Sequence, residues 1–319
     1  MTFSSKATPR RLATMARRVA TLAAGLSVAL LASCGGGTTQ YDTFKPQRLL
    51  VFGDDASALT PTGHNYSVNG LNANNDFDCT QAPIWVQSLA GRFGFVFAEC
   101  NPTFEVPKAR SLAFAGAKVA DVTAQVEAQV AAGGFRDKDL ATVFAGVNDL
   151  LELYAQYPSL SEQVLQAQAR DRGQRLARVV NRLVDLGAKV IVSDLPDLGL
   201  TPFAIAQNNL NAGRAGVLTR LTNAFNEQLG VNVLLDGRFV GLMQAQLRFA
   251  ALARSPGGFG LTNITTGVCT SPVPDCTTNT LLTGANPSQY LWADDTHLGP
   301  GGHQQLATLA LERAARNPF

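Results

Sequence analysis

The sequence predicts a three-layer α/β/α sandwich with a mostly parallel central sheet. Short apolar runs alternate with amphipathic segments, and these segments are long enough to form the helical crossovers that connect parallel strands. Hydrophobic residues make up 46% of the 319 residues and charged residues only 16%, so the chain can bury a large core. Because parallel strands end at one edge of their sheet, we expect a functional site at their carboxyl ends.

The first half of the chain begins with a predicted strand, RLLVFGD, at 48–54. Helices are predicted over 82–94, where apolar residues recur every four positions, and over 122–134, which a pair of glycines ends. The run ATVFAGVND at 141–149 is a predicted buried strand that leads into a loop. Strands separated by helices in this order fit right-handed parallel connections.

The second half continues the alternation. A long helix is predicted over 161–186, followed by the strand and loop AKVIVSDLPDLG at 188–199. A further helix is expected over 217–230, because its leucines and Phe225 fall on one stripe, and VNVLLDG at 231–237 is the next predicted strand. The segment HQQLATLALERAARN closes the chain as a helix.

The amino-terminal segment predicts export from the cytoplasm. Residues 1–33 carry five basic side chains and no acidic one, and an apolar run from about Ala20 to Ala32 is too short to span a bilayer stably. Its end, Leu-Ala-Ser-Cys34, resembles the bacterial lipobox, in which the cysteine is lipidated and becomes the mature amino terminus. Open alternatives are an ordinary signal peptide cut near Ala32 and a membrane anchor. Gly35 after the cysteine is similar to the sorting pattern of outer-membrane lipoproteins.

These features divide the chain into a signal peptide at 1–33, a tether at 34–46 and one domain at 47–319. The tether is rich in Gly, Thr and Gln. Without the signal segment, 21 basic residues stand against 24 acidic ones, so no excess positive charge suggests a nucleic-acid partner. We expect an exported monomer of a Gram-negative cell envelope, held at the outer membrane or cell surface by its lipid.

Four cysteines remain besides Cys34, an even number that predicts disulfides in an exported protein. Three pairings are possible, and proximity favours Cys79–Cys100 and Cys269–Cys276. The second pair lies in the aperiodic stretch 255–288, which predicts a long loop closed by a disulfide. The cysteines form no CxxC motif and lie far from the three histidines, so no metal site is predicted, and no organic cofactor is implied.

Four short motifs carry candidate chemistry at strand ends or in loops. They are Gly-Asp-Asp55, the glycine of SLAFAGAKV at Gly116, Gly-Val-Asn148-Asp, and Asp294-Asp-Thr-His297. In this order they resemble the blocks of the SGNH, or GDSL-type, hydrolases, and DLPDLGLTP at 194–202 is similar to the extracellular bacterial esterases and lipases of that family. The resemblance implies a single SGNH-hydrolase-like, flavodoxin-like domain that cleaves carboxylic esters of a small molecule or lipid.

The resemblance also assigns roles. His297 is the candidate general base, because imidazole titrates near neutrality, and Asp294 would fix its tautomer. The backbone N–H of Gly116 and the side chain of Asn148 are candidate donors to an oxyanion, each worth about 3 kcal/mol of transition-state stabilisation. His64 and His303 are interpreted as structural, and Asp54 as a residue that orders its turn.

Asp55 departs from the pattern, because it stands where the family has its nucleophilic serine. A carboxylate is a poor nucleophile for acyl transfer, since its tetrahedral adduct expels the carboxylate before the alkoxide. Its charge would also face the oxyanion donors and raise the pKa of His297. Three accounts stay open: Ser57 acts instead, Asp55 deprotonates a water, or catalysis is lost.

The accounts lead to different functions. In the first two, the protein is a lipid-anchored esterase or lipase with an atypical nucleophile position. In the third, it is a catalytically impaired lipoprotein that binds an ester, lipid or glycan in the same cleft. A structural envelope protein with a vestigial cleft is the weakest alternative.

Overall fold

The computed structural model describes residues 1–2 and 44–319. Apart from its first two residues, the predicted signal peptide lies outside these residues, as do the predicted lipidation site Cys34 and all of the tether before Phe44. The described chain enters the fold at Phe44, whose ring contacts that of Phe319 edge to face at 5.6 Å, and Pro46 is already buried. Among the residues described, no helix is long and apolar enough to cross a membrane.

Seven strands and eight α-helices form within 44–319. The strands are β1 Arg48–Gly53, β2 Ala109–Ser111, β3 Asp139–Phe144, β4 Lys189–Ser193, β5 Val240–Met243, β6 Asn263–Gly267 and β7 Tyr290–Trp292. The helices are α1 Trp85–Arg92, α2 Val119–Ala131, α3 Val147–Tyr154, α4 Glu162–Asp185, α5 Pro202–Leu210, α6 Arg214–Asn232, α7 Ala245–Arg254 and α8 Pro300–Arg316.

The main sheet has five parallel strands in the order β2-β1-β3-β4-β5. Helix α4 packs along α6 and against α2, whereas α8 packs against α1 and α7, so helical layers cover both faces. Every residue of β3 is buried, as expected for a strand covered on both sides. The predicted three-layer α/β/α sandwich is therefore confirmed.

The strand predicted at 231–237 is wrong. Helix α6 continues to Asn232, and the fifth strand of the sheet begins only at Val240. Between them the chain turns, because the N–H groups of Phe239 and Val240 both donate to the carbonyl of Asp236. The apolar run that suggested a strand is largely a surface feature, since 65% of Leu235 is exposed.

The stretch 255–288 is more ordered than its composition predicts. It contains β6, which pairs with β7 in a small second sheet, and Val268 and Cys276 lie in a small separate core. Both disulfides form between the pairs that proximity favours, Cys79–Cys100 and Cys269–Cys276. The second disulfide lies in the loop that leads from β6 towards β7 and the last motif.

Candidate active site

The four motifs meet at the carboxyl edge of the main sheet, around a cavity of about 140 Å³. One water molecule takes up about 30 Å³, so this volume suits a small substrate group. Asp55, Asn148 and His297 lie in its wall, and Gly116 reaches Asp55 from the loop before α2. The remaining lining side chains are mostly apolar: Phe144, Val147, Leu151, Pro196, Leu198, Trp292 and Leu298.

The turn that carries Asp55 is fixed from below by β3 and α2. Gly53 has a φ of +150°, and a Cβ there would lie 2.1 Å from the carbonyl oxygen of Phe144. The amide group of the Gln125 side chain holds the same glycine through two hydrogen bonds, accepting from its N–H at 2.8 Å and donating to its carbonyl at 2.9 Å. Strand β1 must therefore end in glycine for the turn to pack this closely.

Asp54 orders the turn, as its position suggests. Its carboxyl accepts a hydrogen bond from the N–H of Ala56 at 3.2 Å, and its other oxygen is buried without a partner. Burial, together with the nearby charge of Asp55, raises the pKa of Asp54 well above its usual value. Burial therefore favours the neutral form of Asp54 over a second negative charge beside Asp55.

The carboxylate of Asp55 accepts hydrogen bonds from both candidate oxyanion donors. Its Oδ2 accepts hydrogen bonds from the N–H of Gly116 at 2.9 Å and from Nδ2 of Asn148 at 2.7 Å. Its Oδ1 lies 3.4 Å from Nε2 of His297. One carboxylate oxygen thus fills the place expected for a developing oxyanion, while the other faces the imidazole.

Asp294 holds His297 in a fixed orientation. The imidazole Nδ1 lies 2.7 and 2.9 Å from the two carboxylate oxygens, and Asp294 Oδ1 also accepts the backbone N–H groups of Thr296 and His297. The carboxylate therefore caps its own loop and leaves Nε2 as the ring nitrogen that points towards Asp55. This is the geometry of a histidine whose second nitrogen takes part in proton transfer.

The charges of the three groups stabilise one another. Burial works against charging His297, but hydrogen bonds and attraction to Asp294 and Asp55 prevail and raise its pKa to about 10. Burial likewise opposes the ionised forms of both carboxylates, yet their hydrogen bonds lower the pKa of Asp55 and of Asp294. At neutral pH the site therefore holds an imidazolium between two carboxylates, and His297 is not a free base.

Helix α3 and the loop before α2 place the two donors. Gly146 precedes α3 with a φ of +128°, and Asn148 follows in the first turn, where Nδ2 also donates to the carbonyl of Ala117 at 3.1 Å. Asp149 accepts the N–H of Val119 at the start of α2 and pairs with Arg172 of α4. A buried carboxylate thus ties together the two segments that carry the donors.

Ser57 lies outside the cavity wall. It is fully buried, and its hydroxyl accepts a hydrogen bond from Nε1 of Trp85 at 3.2 Å. Among the residues described, its side chain makes no hydrogen bond to His297, whereas that of Asp55 does. The geometry therefore favours Asp55 over Ser57 as the group that works with the imidazole.

Sequence reasoning missed Tyr66. The ring lines the cavity 6.4 Å from the ring of His297, centroid to centroid, and no described residue forms a hydrogen bond with its hydroxyl. Burial and the charge of Asp55 raise the pKa of Tyr66, so the hydroxyl stays protonated. The segment 58–82, which carries this tyrosine, forms no helix or strand, and no periodic signal in the sequence could have placed it.

The remaining histidines have structural surroundings. His303 is buried in α8, and burial lowers its pKa to about 3. The ring of His64 stacks on Phe77 at 3.8 Å. Within 44–319, no group of three or more His, Cys, Asp or Glu side chains is arranged to hold a metal ion.

Comparison with known proteins identifies the lineage. A family model described as GDSL-like lipase/acylhydrolase matches residues 49–310. The fold resembles those of the lipase Lip_vut3 from a goat rumen metagenome (12% identity, TM-score 0.49, 85% of this chain and 99% of that one) and a catalytic mutant of Axe2, an acetylxylan esterase from Geobacillus stearothermophilus (14%, 0.45, 87% and 99%).

A member of the lipolytic G-D-S-L family from Veillonella parvula is similar at 14% identity and a TM-score of 0.44, over 83% of this chain and 96% of that one. None of the curated proteins compared with the chain matches it. The family model covers the turn that carries Asp55 and the loop that carries Asp294 and His297. On this match, the chain belongs to the GDSL-like lipase/acylhydrolase family.

Proposed function

We propose that the protein hydrolyses carboxylic esters with reactive leaving groups, at a rate limited by the carboxylate at position 55. The observation that carries this proposal is the Asp294–His297 couple, which faces position 55 beside two oxyanion donors. A mostly apolar cavity of this size favours a short acyl or alcohol group. The ester substrate is a small molecule or a lipid.

The protonated histidine suits the first step of such a reaction. Asp55 attacks the acyl carbon, and the imidazolium gives its Nε2 proton to the departing alcohol, which leaves a mixed anhydride on Asp55. The neutral His297 then takes a proton from the water that cleaves the anhydride. The lowered pKa of Asp55 makes it a weak base, so direct deprotonation of water by this carboxylate is disfavoured.

The test is to restore a serine. Asp55→Ser frees the two donors and removes one of the charges that raise the pKa of His297, so we expect kcat/KM for p-nitrophenyl acetate to rise at least ~100-fold. The double variant with His297→Ala is the matched control and should lose the gain. A wild-type activity that is already high and does not change in either variant would contradict the proposal.

A second candidate is a catalytically impaired protein that binds an ester, lipid or glycan. The observation that favours it is that Asp55 already satisfies both oxyanion donors, so a substrate carbonyl finds them occupied. In that case Asp55→Ser stays inactive on esters, while a bound ligand raises the melting temperature of the wild type.

We further propose that Cys34 is lipidated and holds the protein at the outer membrane or cell surface as a monomer. The lipobox-like sequence and an even number of further cysteines support this proposal. Cys34→Ala in a Gram-negative host should move the protein from the membrane fraction to the soluble fraction. An unchanged distribution would argue against the lipid anchor.

A further inference from the structure

The carboxylate of Asp55 has the geometry of a nucleophile for saturated carbon. Its Oδ2 is held by Gly116 and Asn148, and its Oδ1 faces the cavity and His297. We propose that the site opens epoxides, with Asp55 forming a covalent ester that water then hydrolyses to release a diol. This activity uses the carboxylate that hinders ester cleavage, and it does not depend on the ester hydrolase proposed above.

The first step forms one bond and breaks another. A lone pair of Asp55 Oδ1 attacks a ring carbon of the epoxide from the side opposite the ring oxygen, and that carbon–oxygen bond breaks. The negative charge passes from Asp55 to the ring oxygen as an alkoxide. The imidazolium of His297 gives its Nε2 proton to this alkoxide, so the products are a hydroxyalkyl ester of Asp55 and a neutral imidazole.

Tyr66 supplies a donor for the ring oxygen. Its hydroxyl has no hydrogen-bond partner among the described residues, and the residue belongs to the wall of the same cavity. A hydrogen bond from this hydroxyl polarises the epoxide and holds the alkoxide until the proton arrives from His297. Tyr66 returns to its starting state, so the proton balance rests on His297 alone.

The second step reverses the charges at the site. Once Asp55 is an ester, one of the two charges that raise the pKa of His297 is gone, and the neutral imidazole can take a proton from water. The hydroxide adds to Cγ of Asp55, and the resulting oxyanion keeps the hydrogen bonds from Gly116 and Asn148. The intermediate expels the diol alkoxide, which takes a proton from His297, and the new Asp55 carboxyl group returns a proton to the imidazole.

This second step is the hydrolysis of an enzyme-bound ester beside an oxyanion site. Here the acyl carbon belongs to the protein and the alcohol to the substrate. The leaving-group problem of ester substrates does not arise, because the carboxylate displaces a strained ring oxygen. The arrangement at position 55 therefore performs both steps without moving a donor.

An alkyl halide fits the cavity less well. A departing halide needs N–H donors, and the indole N–H groups of the chain's two tryptophans are already engaged. Trp85 donates to the hydroxyl of Ser57 and Trp292 to the carbonyl of Ile264. In the cavity wall, the hydroxyl groups of Tyr66 and Thr296 have no hydrogen-bond partner among the described residues, and a hydroxyl donor suits an oxygen that becomes an alkoxide.

The first experiment traps the covalent ester. The purified full chain with His297→Gln is incubated with 1,2-epoxybutane or styrene oxide, and its intact mass is measured. We expect an increase equal to one epoxide, located by peptide mapping at Asp55, because in this variant the alkoxide takes its proton from solvent water, whereas no base remains to activate the water that would hydrolyse the ester. The control Asp55→Ala/His297→Gln should carry no such adduct, and an adduct at any other residue alone would contradict the proposal.

The second experiment uses the wild type and needs no variant to fold. A single turnover in oxygen-18 water should place the label in the carboxylate of Asp55 and leave the first diol unlabelled. A label in the first diol with none in Asp55 would show direct addition of water and overturn the covalent route. If neither epoxide gave diol above the buffer blank, and neither gave a covalent adduct, the proposed activity would be overturned.

Ester hydrolysis is measured on the same preparations, so the two proposals fail separately. Asp55→Ser should lose epoxide opening completely, because a neutral hydroxyl does not attack saturated carbon at this rate, while its p-nitrophenyl acetate turnover rises. Loss of both activities in Asp55→Ser, with an unchanged melting temperature, would refute the ester hydrolase and leave the oxygen-18 result to decide the epoxide reaction.

Discussion

Asp55 determines the charge state of the whole site. A serine at this position would leave His297 with one carboxylate partner, whereas Asp55 gives it a second at Nε2. In the reactions proposed above, the histidine therefore starts as an acid and becomes a base only after Asp55 has been neutralised. On these proposals, the residue that makes the sequence atypical sets the order of proton transfers.

The protonation of His297 can be measured directly. In the wild type, NMR of the labelled imidazole should show a charged ring throughout pH 6–8, because its pKa is raised to about 10 by Asp294 and Asp55. Asp55→Asn removes one of the two negative charges, so the pKa should fall. A ring that titrates near 6.5 in the wild type would contradict the ion pair.

The raised pKa of His297 also makes the stability of the folded protein change with pH in the alkaline range. The folded-state pKa of His297 lies above the unfolded value of 6.5, so its contribution to stability is complete below about pH 6.5 and is lost as the pH rises towards 10. The melting temperature should therefore fall over this interval, and less so in His297→Gln. His303 does not confound the comparison, because its pKa of about 3 affects only the acid side. If the melting temperatures of the wild type and of His297→Gln fell equally over this pH interval, the raised pKa of His297 would not be the cause.

At the scale of single residues, the sequence could predict the parts of the site that carry chemistry in fixed patterns. The spacing of Asp294 and His297 within one loop was enough to pair them. Tyr66 and the contact between Asp55 and Gly116 depend on how segments distant in the sequence pack, and no local pattern encodes that.

At the scale of elements, the end of β1 is the least tolerant position of the site. Gly53→Ala would place a methyl group against the carbonyl of Phe144 at a φ that alanine disfavours, so we expect a loss of at least about 3 kcal/mol in the free energy of unfolding. Denaturant unfolding measures this loss, and the turn with Asp55 should shift as well.

Gly91→Ala in α1 is the matched control. A Cβ at Gly91 meets no atom within 4 Å, and the residue lies in an exposed part of the helix. Alanine favours helix by about 0.5–1 kcal/mol over glycine, so this variant should be slightly more stable. If both variants lost stability equally, the close approach of Gly53 to β3 would not be the cause.

The elements also show that sequence periodicity predicts long helices well and short strands poorly. Helix α4 is predicted over 161–186 and observed over Glu162–Asp185, because 24 residues give the apolar stripe many repeats. Strand β5 has only four residues, VGLM, and includes a glycine. The more apolar run before it, at 231–237, led to the wrong strand prediction. Pairing with β4, and not composition, decides which residues join the sheet.

At the scale of the whole molecule, the disulfides restrain long loops around a core that the sheet already organises. Removing the pair Cys79–Cys100 as a double serine variant should cost about 3 kcal/mol, and removing Cys269–Cys276 about 2 kcal/mol, because the second encloses a shorter loop. Thermal unfolding with and without reductant measures both. If removing Cys269–Cys276 cost as much stability as removing Cys79–Cys100, or more, native contacts of these loops would outweigh the entropy of loop closure.

The contact between Phe44 and Phe319 determines where the described domain begins. It fixes the entry of the chain at the edge where the strands begin, whereas the cavity opens where they end. A substrate therefore approaches the site from the side of the sheet opposite Phe44.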